Sequence, residues 1–197
     1  MRIEKPNIIL VGGGGHCVSV IDVIEQQGKY NIKGIIDIKE NIGKNVLGYK
    51  IIGSDNDLQD LFLSCPNAIV SVGQIKSSAL RIHLFQKLKT IGYHLPIVIS
   101  PLAYVSKYAL IGEGSIIMHQ ALVNAGVKIG KNCIINTKAN IEHGVQIEDF
   151  CHISTGTIVN GDCIVSRETF IGSNATISNG VTIPPNSIIS AGEFVKR

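Results

Sequence analysis

From Val105 to Val195 an isoleucine or valine stands at every sixth position, sixteen in unbroken succession. Two residues ahead of them recur small or compact side chains, from Ala103 and Ala109 through Cys133 and Thr157 to Val181 and Ser187. A spacing of two is strand alternation, so both members of a pair face one side. A spacing of six makes the chain turn a corner after every such pair. Three flat sides then close a triangular coil of 18 residues whose interior holds the Ile/Val positions stacked on the compact ones. About five coils fit between Val105 and Val195, roughly 25 Å tall at about 4.8 Å per layer. The phase never slips, so no long loop leaves the stack.

Corners that need positive φ or close approach fall to Gly112, Gly114, Gly126, Gly130, Gly144, Gly156, Gly161, Gly172, Gly180 and Gly192, helped by asparagines. This half resembles the hexapeptide-repeat family, which forms a left-handed parallel β-helix. Cys133, Cys151 and Cys163 occupy the inward compact slot and read as core fillers. His119, His143 and His152 fall in outward phase. Ile116, Ile134, Ile158, Ile164 and Ile188 each precede an inward residue and are expected to form an outward apolar strip suited to self-association.

The first hundred residues read differently. Asn7–Val11 is a buried-strand run followed by Gly12, Gly13, Gly14, Gly15 and His16. Helical spacing from Val18 to Glu25 stops near Gly28, and Lys33–Asp37 reads as a second strand ending in an acid. Helix signals from Asp55 to Leu63 precede a third strand, Ala68–Gly73; Ser77–Ile91 is amphipathic and Leu95–Ile99 extended. The pattern is half of a doubly wound nucleotide-binding fold. Backbone N–H groups at the glycine turn suit a phosphate. As a dinucleotide fingerprint the turn fails, because its third glycine would fall at Cys17. One mononucleotide half favours a nucleotide sugar over NAD, with Asp37 placed for ribose or base. The expected architecture is an α/β half-Rossmann (βαβαβ) domain over 1–100, then the left-handed β-helix of about five coils over 101–197.

A small nucleotide-binding unit joined to a hexapeptide helix resembles the bacterial sugar acetyltransferases of the UDP-4-amino-sugar N-acetyltransferase and sialic-acid O-acetyltransferase group. The resemblance covers essentially the whole chain. It rests on Val11–His16, Ile36-Asp37, Ile69–Gly73, Pro101–Ala103, Asn136-Thr137, Ile141–His143 and Asp149–Ser154. It implies acetyl transfer from acetyl-CoA with His143 as general base, directly through a ternary complex. Glu142 joins His143 in the catalytic set, and His152, Asn136, Gly161, Ser173 and Ala191 would line the acetyl-CoA channel or the reaction centre. Gly12–Gly15, His16, Asp37 and Gly73 would hold the nucleotide sugar. A homotrimer with sites between subunits and a role in cell-surface glycan synthesis are further implications. The family usually places an acid directly after the base; here that residue is Gly144. Orienting the ring then falls to Glu142, another outward acid such as Asp149, a carbonyl or water.

Other readings stay open at this level. The acceptor could be the amine of a nucleotide-linked amino sugar or a hydroxyl of a sialic or related nonulosonic acid. A non-catalytic trimeric scaffold binding sugar nucleotides is a different class, and a metal hydrolase on the same helix would need a clustered three-His site. A net charge of +3 with no basic block gives no footing for nucleic acid. Five cysteines without a CxxC pair speak for reduced thiols and no metal. No apolar run reaches the roughly 18 residues of a membrane span, and the start, Met1–Pro6, lacks a signal-peptide core, so the expected location is cytoplasmic.

Overall fold

The computed structural model describes residues 5–196; Met1–Glu4, part of the stretch read above for a leader, and Arg197 lie outside them. The chain divides into two units, one of residues 1–73 and 80–96, the other of 74–79 and 97–197.

The first unit holds β1 (Asn7–Val11), α1 (Gly15–Gln27), β2 (Asn31–Ile36), β3 (Asn45–Val46), β4 (Tyr49–Gly53), α2 (Leu58–Phe62), β5 (Ala68–Val70) and α3 (Ala79–Ile91, of which Leu80 onward belongs here). The sheet order is β3-β4-β2-β1-β5, with β4, β2, β1 and β5 parallel and β3 antiparallel to β4. The alternation of apolar strands and amphipathic helices produces it. Ile8, Ile9 and Leu10 of β1 are fully buried, as are Val20, Ile21, Val23 and Ile24 on the inner side of α1. Because β2 and β5 lie on opposite sides of β1, a topological switch falls at the carboxyl end of β1, where such sheets open a crevice. The β3–β4 hairpin went unread in the sequence. Its turn places Leu47 at φ 46° beside Gly48 at φ 86°, a conformation that a leucine does not advertise.

The second unit is the β-helix. Two-residue strands stack into three parallel sheets of six, five and six strands, and partners lie 18 residues apart, as Leu122 with Asn140 and Ile134 with His152 illustrate. The inward set is fully sequestered: Ile117, Val123, Ile135, Ile141, Ile153, Val159, Val165, Ile171 and Ile177 are 0% exposed, with Cys133, Cys151 and Cys163 among them. Each full burial of such a side chain is worth about 1.5–3 kcal/mol. Against it stands a backbone cost, since φ is positive at every sixth residue from Gly114 to Gly192. Eight of these corners are not glycine, among them Asn132, Phe150, Asp162 and Asn174. Left-handed backbone costs a non-glycine residue about 1–2 kcal/mol, which stacking of the next coil offsets. Gly112 and Gly172 serve close approach instead: a Cβ would come within 2.5 Å of the next coil's backbone.

Two expectations change. The helix begins earlier than expected, because Val98–Ile99 already pairs with Ile116–Ile117 and the unit starts at Ile97; Ile99 is in phase with Val105. The five outward isoleucines do not form one strip. Positions a whole number of 18-residue coils apart share a face, so Ile116, Ile134 and Ile188 lie on one sheet while Ile158 and Ile164 lie on the other two. Ile116 and Ile134 are moreover 0% exposed in the single chain. The apolar face left to solvent is another one, carrying Tyr104, Ile158 and Phe194, with Leu122 half-buried.

Candidate active site

In the first unit the residues singled out in the sequence gather at the carboxyl ends of β1, β2 and β5. Gly12 sits at φ +112°, and a Cβ there would overlap the Val72 side chain. A Cβ on Gly13 would lie 2.5 Å from the Asp37 carboxylate, whose Oδ2 accepts the Gly13 N–H at 2.6 Å. The other oxygen, Oδ1, accepts the Ile38 N–H at 2.6 Å, so Asp37 ties the glycine turn to the end of β2. Gly14 and Gly15 face open space, and α1, with Gly14 as its N-cap, has no side-chain cap hydrogen bond and no acid in its first turn. A helix start with open space before it suits an anionic group. Asp37 also lines a cleft of about 180 Å³ with Val11, Gly12, Ile36, Val72 and Leu84, whose polar members further include Asp55 and His83. A Cβ on Gly73 would contact His16, so these two are neighbours. Arg81 of α3 is buried and donates to the Val70 and Val72 carbonyls, which holds the loop after β5 in place. Cys17 is buried beneath the turn, and burial pushes its thiol up to about 11.

In the second unit the named residues divide between edges of the prism. His143 lies on the corner after Asn140–Ile141, and Gly161 and Asp162 follow one coil later on the same edge. The imidazole rests on Gly161, where a Cβ would come within 2.6 Å of Cε1 and 2.7 Å of Nε2. Its side chain is 62% exposed, and its Nδ1 is 3.9 Å from Asp162 Oδ1. The Asp162 N–H donates to the His143 carbonyl at 3.0 Å. Glu142 turns elsewhere: Oε2 accepts from Asn124 at 2.8 Å and Oε1 from Asn140 at 3.2 Å. Asp149, on another edge, accepts the Lys131 N–H at 2.7 Å. The acid beside the imidazole is therefore Asp162, which sequence reasoning missed. Counting one coil of 18 and one residue onward from His143 would have found it.

Asn136, Ser173 and Ala191 stand on the preceding edge, after the sheet that carries His152. His152 projects outward from its coil as expected, yet is only 6% exposed, because the segment 74–79 of this unit lies over it. Its Nδ1 is 2.5 Å from the Gln74 carbonyl, which can only accept, so Nδ1 carries the proton. Nε2 then accepts from the Asn136 side-chain NH₂ at 3.1 Å, while Asn136 Oδ1 accepts the Thr137 N–H. Phe170 meets the ring edge-on at 5.2 Å. Gln74 Nε2 donates to the Phe150 carbonyl at 2.9 Å, and the Ser78 hydroxyl to Glu168 at 3.0 Å, which completes the clasp. Ser173 shares a hydrogen bond with Ser154 at 3.0 Å. His119, the third outward histidine, has Nδ1 2.6 Å from the Ser100 hydroxyl. Among the described residues no group of three or more His, Cys, Asp or Glu side chains could hold a metal ion. None of the described helices is long and apolar enough to cross a membrane.

The PglD N-terminal domain profile matches residues 7–88, and the hexapeptide repeat of succinyl-transferase matches 126–160 and 164–197. A mutant of perosamine N-acetyltransferase from Caulobacter crescentus, solved with CoA and GDP-perosamine, is similar at 30% identity and TM-score 0.91, over 100% of this chain and 91% of that one. The acetyltransferase domain of PglB from Neisseria gonorrhoeae FA1090, solved with acetyl coenzyme A, is similar at 28% identity and TM-score 0.87, over 96% and 90% of the two chains. WeeI from Acinetobacter baumannii AYE, at 22% identity and TM-score 0.75 over 96% of each chain, shares the fold. No curated protein matches the chain by sequence. With the perosamine N-acetyltransferase at 30% identity along nearly its whole length, the chain belongs to the hexapeptide-repeat sugar acetyltransferases, a PglD-type N-terminal domain followed by a left-handed β-helix.

Proposed function

We propose that this acetyltransferase moves the acetyl group of acetyl-CoA onto the amine of a nucleotide-linked amino sugar, with His143 as general base. The observation that carries the reading is an exposed imidazole seated on a glycine, with a carboxylate beside its Nδ1. Imidazole accepts and returns a proton near neutral pH. In the proposed reaction the amine attacks the thioester carbonyl and Nε2 takes the proton that the nitrogen sheds as the C–N bond forms. Backbone N–H groups hold the oxyanion. Its collapse breaks the C–S bond, and the departing CoA thiolate recovers a proton from the imidazolium. No acyl-enzyme is required, and all five cysteines are buried.

The cleft of the first unit supports a nucleotide diphosphate as the handle of the acceptor: open glycines at a helix start for phosphate, apolar walls and Asp37 for the nucleoside. The relatives solved with CoA and GDP-perosamine or with acetyl coenzyme A support both substrate classes. Homotrimerisation fits the edges of the prism. His143 and Gly161 stand on one edge, Asn136, Ser173 and Ala191 on another, so a channel using all five takes the second edge from a neighbouring copy. The face between those edges is the one exposing Tyr104, Ile158 and Phe194.

The test is acetyl transfer measured by mass spectrometry on a panel of UDP- and GDP-linked amino sugars and sialic acids. Wild type should acetylate a nucleotide-linked amine, and His143→Ala should lose about 10²–10⁴-fold in turnover. Equal turnover by the two proteins removes His143 from its role; acetylation of a sialic acid hydroxyl alone replaces the acceptor.

A further inference from the structure

We infer that Asp162 is the positioning residue of His143, a carboxylate supplied from the next coil in place of one adjacent in sequence; this rests on His143 being the base. Three observations carry it. Asp162 Oδ1 stands 3.9 Å from His143 Nδ1, and its backbone N–H is bonded to the His143 carbonyl, so the two residues are fixed to each other through main chain. Gly144 is the condition for that placement: at φ +70°, any Cβ there would overlap Asp162 Oδ1. The space next to the base that a side chain at 144 would fill is thus occupied by an acid from one coil on. Finally, the other acids named for this task are engaged, Glu142 by Asn124 and Asn140, Asp149 by the Lys131 N–H.

The helix uses the same backbone device elsewhere. Gly156 is left-handed and Asn174 Oδ1 lies where its Cβ would be. An uncharged amide suffices there, so the glycine–Asx stack explains the corner but not the choice of a carboxylate. At His143 the carboxylate has chemistry to do. Beside Nδ1 it favours the tautomer with the proton there, which leaves the Nε2 lone pair for the amine. Since the two side chains are 62% and 75% exposed, water screens the pair and the effect is moderate.

The experiment compares Asp162→Asn, Asp162→Glu and His143→Ala with wild type in the full chain. Asp162→Asn keeps an oxygen over Gly144, as Asn174 does over Gly156, so it folds; thermal melting verifies this. The expected result is a kcat lower by about two- to fivefold, up to the size of one charge contact near 4 Å in high dielectric, with KM for both substrates within about twofold. Nitrogen-15 NMR of the neutral His143 ring should show the proton on Nδ1 in wild type and shifted towards Nε2 in Asp162→Asn. Asp162→Glu should restore most of the rate. A wild-type kcat in Asp162→Asn overturns the inference, as does a lower kcat with unchanged ring protonation, which would make Asp162 structural only. If His143→Ala stays active, the base reading itself fails; if it is inactive while Asp162→Asn matches wild type, only the positioning role fails.

Discussion

Replacing Gly161 by alanine moves the imidazole without touching it. A Cβ at 161 would lie 2.6 Å from His143 Cε1, 2.7 Å from Nε2 and 3.2 Å from Nδ1, where ordinary contact begins at 3.4 Å. The ring must therefore withdraw by about 1 Å, and it can, because it is a side chain 62% exposed. Gly161 is not among the left-handed corners, so alanine takes up its backbone, and the bond from the Gly180 N–H to the Gly161 carbonyl persists. Stability should accordingly hold, with Tm within about 2 °C of wild type. A base displaced by about 1 Å can cost about 10²-fold in rate, roughly 2.7 kcal/mol of transition-state stabilisation. Stopped mass-spectrometric assays at saturating substrates give kcat, and differential scanning fluorimetry gives Tm. A kcat within about twofold of wild type at unchanged Tm would show that the working position of His143 is not the one over Gly161, and the glycine floor would lose its part in placing the base.

Two further outcomes follow from the core and the outer face. Cys17 is raised from 9.0 to about 11 by burial, so its neutral thiol favours the native state. That stability is present in full below pH 9 and is lost as pH rises through about 11, some 2–3 kcal/mol in all. Urea titrations at pH 8 and 10.5 should show a steeper loss for wild type than for Cys17→Ala, and equal losses would refute the assignment. In light scattering the chain should run as three copies, and Ile158→Asp, on the exposed apolar face, should shift it towards one; a wild-type monomer would end the trimer reading.

Much of the second unit was legible because its order repeats. Each coil buries the same two positions per side, so Ile141 or Val159 could be assigned inward from phase alone, and the corners followed at the same interval. The glycine turn was legible as a run of glycines and Asp37 as the acid ending a strand, but what joins them was not: the space at Gly13 is closed by Asp37, 24 residues on. The hairpin around Leu47 was not, since nothing in a leucine signals left-handed backbone.

By itself, then, the amino-acid order determined the prism, its hidden aliphatic column and the outward phase of His143 and His152. Only the tertiary structure decided what meets those rings. His152 is covered because Gln74, 78 residues away, brings a carbonyl to its Nδ1, a contact belonging to no repeat. His143 stays open with Asp162 beside it because Gly144 leaves the space. Periodicity specifies which way a side chain points, since that is a property of backbone pleat. Which partner it finds there depends on packing between coils and on a segment arriving from far along the chain, where hydrogen bonds and missing Cβ atoms make the choice.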